Sequence, residues 1–136
     1  MIQYEQLMKE AQDMQSFLEV TMSDDPQEVV ERGTDLTVYL ARSAKMLADA
    51  KLILNKQKKD ETMDIVRDFI IDQKLSAKVQ NALIDGLCRD SQYLVDWLER
   101  MNAAITHQLD WCRSVVSKNK EEMRLTQIGK EFNNKK

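Results

Sequence analysis

The stretch SAKVQNALIDGLCRDSQYLVDWLERMNAAITHQLDWCRSVVSKNKEEMRL, residues 76–125, contains no proline and a single glycine, Gly86. Read as one helix it would be about 75 Å long, at about 1.5 Å per residue. Its apolar positions Leu83, Leu87, Leu94, Leu98, Met101, Ile105, Leu109, Cys112 and Val116 advance by steps of three, four and seven. Such spacing lines them along one face, which must be covered by the rest of the chain or by other copies. The expected fold is all-α: an elongated antiparallel helical bundle, coiled-coil-like, with one long C-terminal helix.

Working outward, three further helical segments precede this one. The first, about residues 3–22, places Leu7, Ala11, Met14, Leu18 and Met22 on one face. It is broken at Ser23-Asp24-Asp25-Pro26-Gln27-Glu28, where Asp25 suits an N-cap, Pro26 the first helical position and Glu28 the third residue after the cap. The second, residues 26–58, carries Val29, Leu36, Leu40, Leu47 and Leu54, with small side chains at Gly33, Ser43, Ala44, Ala48 and Ala50 that admit a neighbouring helix backbone. The polar run Asn55-Lys56-Gln57-Lys58-Lys59-Asp60 is expected to end it. A short amphipathic segment, residues 63–71, uses Ile65, Val66, Phe69 and Ile70, and Ser76 is a candidate N-cap for the long helix. Residues 1–125 thus read as a single helical domain, and residues 126–136, which lose the stripe, as a frayed basic tail.

Composition narrows the class. A chain of 136 residues with 43% apolar content is the size of one domain with a real core, and no apolar run is long enough to span a membrane. The amino terminus lacks a basic region followed by an apolar one, so a cytoplasmic location is expected. Alternation of β-branched and aromatic residues is missing, and no sheet is expected. Cys88 and Cys112 are separated by 24 positions on one expected helix. That is about 36 Å, against the 7 Å limit for a disulfide, so reduced thiols packed on the stripe are expected. His107 is the only histidine and stands five residues before Cys112, which points the two side chains apart. No metal site is expected.

Catalysis is not expected either, and no cofactor is called for. There is no glycine-rich phosphate loop and no pair of Glu-x-x-His motifs. The carboxylates Asp85, Asp96, Glu99 and Asp110 interleave with Arg89 and Arg100 as a solvated helix face does.

Charge is uneven. Residues 1–35 carry a net charge of −7 and residues 111–136 a net charge of +4. One consequence is that the basic end engages the acidic N-terminal helix, within the chain or head to tail between copies. The other is that the basic end, with Trp111 just before it and Phe132 inside it, contacts nucleic acid, Arg113, Lys118, Lys120 and Arg124 neutralising phosphates while an aromatic face stacks an exposed base.

The segment Asp96–Arg113, DWLERMNAAITHQLDWCR, resembles the late helix of the UvsY-type recombination mediators of tailed bacteriophages. That family's pattern of Ile-Lys-x-x-Ile, an acidic residue, an aromatic and then a basic residue is matched by Ile105, Leu109, Asp110, Trp111 and Arg113. Thr106 stands where the lysine is expected, Arg113 is displaced by one place, and Val115 replaces a later aromatic. Leu40–Lys51 resembles the family's alanine- and lysine-rich second helix, and Leu75-Ser76-Ala77 the start of its long one. The resemblance implies a phage or prophage helical oligomer that binds single-stranded DNA and helps load a recombinase in place of a single-strand-binding protein. In that picture Leu94, Leu98, Met101, Ile105 and Leu109 form the homo-oligomer interface and array copies of Lys51, Arg113, Lys118, Lys120 and Arg124 around a strand of DNA. The alternative is a helical adaptor or assembly protein that uses the same helices to hold other proteins and touches no nucleic acid.

Overall fold

The computed structural model describes residues 4–69 and 76–134. Among these residues every regular element is a helix: α1 (Tyr4–Glu19), α2 (Pro26–Phe69), α3 (Ala77–Leu87) and α4 (Arg89–Asn134). The all-α expectation holds, with α2 and α4 as its two long members.

α2 starts where the sequence said it would. The Asp25 carboxylate accepts the Glu28 N–H at 3.3 Å, and the Asp25 carbonyl accepts the Val29 N–H at 2.9 Å. Ser76 likewise caps α3, its hydroxyl accepting the Val79 N–H at 3.3 Å. Three boundaries differ from expectation. α1 ends at Glu19 instead of Met22, which lies half-buried in the connection. α2 passes unbroken through Asn55–Asp60 to Phe69. That run has no proline or glycine, its lysines and glutamine are good helix formers, and buried Leu54 and Ile65 anchor it on either side. The expected segment at residues 63–71 is therefore the end of α2; the side chains of Val66 and Phe69, and Ile70 and Ile71 altogether, lie outside the described residues, as does Gln3 at the expected start of α1.

The third difference is the largest. Residues 76–125 do not form one helix: the chain bends at Cys88, whose backbone (φ −100°, ψ 15°) ends α3 and whose carbonyl accepts the Gln92 N–H at 2.9 Å to begin α4. At the bend Lys58 and Glu61 of α2 are close enough to act on the Cys88 thiol, and Gln57 brackets it, donating to the Leu87 carbonyl at 3.2 Å and accepting from the Ser91 hydroxyl. Leu83 and Leu87, expected on the covered stripe, are in consequence exposed.

α2 and α4 run antiparallel. The order is fixed by Arg32 with Gln108 (3.0 Å), Ser43 with Asn102 (2.9 Å) and Lys51 with Glu99 (3.7 Å), rising residue numbers on one helix meeting falling numbers on the other. The α2 side of the seam consists of Val29, Leu36, Ser43, Met46, Ala50 and Leu54, largely a seven-residue repeat of the kind coiled coils use. Leu40 and Leu47 flank it half-buried, and Ala44 and Ala48 face outward, so of the small residues only Gly33, Ser43 and Ala50 line the helix contact. Ser43 is fully buried and satisfied twice, donating to the Leu40 carbonyl at 3.0 Å and accepting from Asn102. A paired polar node in an apolar seam disfavours other registers, because slippage would leave it unsatisfied.

α1 lies over this pair, parallel to α4. Its start is tied to α4 by the Tyr4 hydroxyl on the Asp90 carbonyl (3.3 Å), its middle by the Trp97 indole N–H on Gln15 (3.2 Å), and its end by Gln108 on the Leu18 carbonyl (3.0 Å). Leu7, Ala11, Met14 and Leu18 complete the core as the spacing predicted. Towards α2, the Arg42 guanidinium grips the Glu10 carboxylate at 2.5 and 2.7 Å, and this hydrogen bonding holds the Glu10 carboxyl below its ordinary value. Arg32 covers the ring of Phe17 at 4.0 Å.

Gly33 is helical, and a Cβ there would meet only the Cys112 Cβ at 3.8 Å, an ordinary contact. Gly33→Ala is therefore expected to stabilise the protein by about 0.5–1 kcal/mol through helix propensity, read as a higher Tm.

Candidate nucleic-acid interface

α4 outlasts the body of the protein. Gly33 of α2 packs beside Cys112, and α2 begins seven residues earlier, at Pro26. Beyond the level of Asn119, α4 has no helix alongside it, and residues 120–134 are exposed throughout. These fifteen residues extend about 22 Å. The expected fray after Leu125 is thus corrected as far as Asn134: the helix continues, while Lys135 and Lys136 lie outside the described residues.

The structure sorts the six expected DNA contacts into three places. Arg113, Lys120 and Arg124 are spaced by seven and four, which at about 100° per residue puts them within about 40° of one another on a single exposed face of α4. Trp111 and Lys118, also seven apart, share a different side of the helix, about 120–180° round from that set, and Trp111 is 40% exposed. Lys51 is on α2 and reaches Glu99 at 3.7 Å, fourteen residues back along α4 from Arg113 and so about 21 Å away. It does not join the set. Arg113 lies 3.4 Å from Asp110 and Arg124 2.7 Å from Glu121, pairs within one helix whose exposed partners are weakly held.

The expected oligomer interface is overturned. Leu94, Leu98, Met101, Ile105 and Leu109 are between 0 and 7% exposed within the single chain, covered by α2 and α1. A side chain already sealed in its own core is not available to a second copy. The acidic N-terminal helix does not meet the basic end within the chain either: α1 finishes near Gln108, short of Arg113, and its Glu10 is occupied by Arg42.

Sequence reasoning took Phe132 as a stacking aromatic and missed that it shares an apolar strip with Leu125 and Ile128 on the exposed end of α4, the three being exposed by 66, 56 and 51%. The signal was present in the spacing of three and four. It lies on the far side of α4 from the seam, so following the seam's phase passes over it.

A concavity sits at the other end of the body. A cleft of about 810 Å³ opens between α1, α2 and the start of α4, where Tyr4, Leu52, Ile53 and Gln57 meet Asp49, Asp60 and Asp90. Asp49 accepts from Lys45 at 2.8 Å through one oxygen while its other oxygen is buried without a partner. Burial and the nearby Asp90 raise the Tyr4 phenol above its ordinary value. Burial also raises the Cys88 and Cys112 thiols, which stay protonated near neutral pH. Among the described residues no three His, Cys, Asp or Glu side chains gather as a metal would require, and no helix is long and apolar enough to cross a membrane. Comparison with models of known protein families, with curated proteins and with solved structures finds no match to this chain.

Proposed function

We propose that the chain is a non-enzymatic single-stranded DNA-binding protein whose working surface is the exposed end of α4. Its setting is that of the phage and prophage recombination mediators it resembles, which load a recombinase in place of a single-strand-binding protein. The observation that supports this reading is the alignment of Arg113, Lys120 and Arg124 on one solvent-facing strip about 17 Å long; Trp111 and Lys118 project from another side of the same helix. Cations at this spacing neutralise phosphates of an extended strand, and the part-exposed Trp111 indole offers a stacking surface to an unpaired base. One subunit supplies few contacts, so useful affinity comes from several copies on one strand. The copies associate through a surface other than the Leu94–Leu109 stripe.

The exposed Leu125, Ile128 and Phe132 favour a second reading, a helical adaptor that docks other proteins and no nucleic acid. Fluorescence anisotropy separates the two. A labelled oligonucleotide, single-stranded and then duplex, is titrated with the protein at low and at physiological salt. The DNA reading expects preference for the single strand and an affinity that falls steeply with salt. No binding at low salt overturns it and leaves the adaptor.

A further inference from the structure

α3 buries none of its own residues fully, and its outward side is apolar. At about 100° per residue, Val79, Ala82, Leu83, Gly86 and Leu87 fall within an arc of about 140°. All five are exposed, Val79, Leu83 and Leu87 by 45, 42 and 52%, and a Cβ added at Gly86 would meet nothing within 4 Å. Ile84, on the inward side, packs against the core. Single apolar side chains at a surface need no explanation, but five on one face of a short helix mark a contact surface. Ala82 and Gly86, one turn apart, have no bulk to hold a neighbouring backbone off.

The charges on α3 identify the occupant. The helix has only two charged residues, Lys78 and Asp85, both exposed, and neither forms an ion pair among the described residues. Standing seven apart, they lie within about 20° of each other along one edge of the apolar face, while the other edge carries Gln80 and no charge. When two copies of a helix pair antiparallel about a two-fold axis, each edge meets the same edge of the partner; paired parallel, it meets the opposite edge. Antiparallel pairing therefore brings Lys78 of each copy to Asp85 of the other, whereas parallel pairing sets both charges against an uncharged edge. With the crossing between Ala82 and Leu83, Lys78 stands two residues, about 3 Å, along the axis from the partner's Asp85, within reach of its side chain. We propose that the outward face of α3 is a self-association surface, on which a second copy of the chain docks its own α3 antiparallel.

Such a contact uses the same patch on both copies, so it closes at two and does not propagate. α3 is eleven residues, about 16 Å, long and offers less than the roughly 800 Å² per partner of a stable complex, so the dimer is weak and reversible. Dimerisation here leaves Arg113, Lys120 and Arg124 of both copies exposed on α4. It needs no nucleic acid, so it stands or falls separately from the DNA reading, to which it supplies a second set of cations.

Sedimentation velocity of the full chain without DNA, over a wide range of concentration, tests it. The wild type is expected to pass from monomer to dimer and no further. Leu83→Glu places two carboxylates at the centre of the seam and is expected to stay monomeric, with circular dichroism and melting showing that it folds. Charge variants at the exposed edge read the orientation and carry the test even where Leu83→Glu alters the melt. Lys78→Glu and Asp85→Lys each set like charges together, and each is expected to weaken dimerisation about tenfold. Mixed in equal amounts they are expected to form a mixed dimer of about wild-type strength, and one chain carrying both changes to recover the wild-type dimer. A wild type that stays monomeric at every concentration overturns the proposal, as does one that grows past dimer. So does a folded Leu83→Glu that associates like the wild type, or a double variant no stronger than either single one, which would mean that the two helices do not pair antiparallel.

Discussion

Leu98→Ala is expected to lower the stability of the chain by about 2–5 kcal/mol, the usual cost of a cavity left in a packed core. Leu98 is fully buried in the seam between α2 and α4, with Leu94, Met101 and Ile105 above and below it on the same helix. A loss of this size is a large part of the total stability of an ordinary domain, and Tm should fall on the order of 10 °C. The form of the loss matters as much as its size. Because the stripe is closed within one chain, the change in Tm between wild type and variant should be the same at low and high protein concentration. A variant whose melting is unchanged but whose mass in solution falls would show that Leu98 belongs between copies after all. Leu125→Ala is the control: that side chain is 56% exposed, and its loss should move the stability of the monomer by no more than about 0.5 kcal/mol.

Replacing Arg113, Lys120 and Arg124 together by glutamate should abolish most of the DNA affinity expected of the protein while leaving its fold intact. The arithmetic follows from counterion release. Three phosphate contacts on a single strand contribute about −2 to the slope of log K against log salt, so affinity should fall roughly twentyfold between 50 and 200 mM salt for each subunit engaged. In the triple variant that component of the slope disappears, and weakening at low salt should exceed a hundredfold once repulsion by the new carboxylates is added. All three side chains are exposed, and their intrahelical neighbours Asp110 and Glu121 lose only surface pairs, so melting should hardly change. Lys51→Glu sharpens the comparison. Lys51 sits about 21 Å from Arg113 beside Glu99, and changing it alone should leave DNA affinity near wild type. Equal losses from Lys51→Glu and from the triple variant would place the binding surface elsewhere.

The two long helices differ in how well they could be read. On α4 the spacing indicates Leu94, Leu98, Met101, Ile105, Leu109 and Cys112 of the buried set, because a uniform apolar stripe carries its own phase, and passes over Ser91 and Val95, which are buried beside them. On α2 the seam passes through Ser43, Met46 and Ala50, while the more hydrophobic Leu40 and Leu47 stand half out of it. Leucines on both flanks of a stripe leave its centre ambiguous, and the partner helix decides. Ser43 shows this clearly. In sequence it is a small residue on a helix; against Asn102 it becomes a buried, twice-bonded node. The cation set shows the same limit from the other side. Arg113, Lys120 and Arg124 share a face by spacing alone, whereas the exclusion of Lys51 needed the register of α2 on α4.

What the sequence by itself determined is local: an all-helical chain, the capped starts at Asp25 and Ser76, the apolar face of α1 and the phase of the α4 stripe. These depend on neighbours within a turn or two, where hydrogen bonding and side-chain periodicity act directly. Tertiary structure alone decided who covers whom. The same stripe serves equally well between two copies or between two helices of one chain, since burial of apolar area does not distinguish its source. Only once α2 is seen to lie antiparallel along α4, with α1 over both, does the stripe become the core, the expected long helix divide at Cys88 where Gln57 brackets the bend, and the last fifteen residues of α4 stand out as an exposed end.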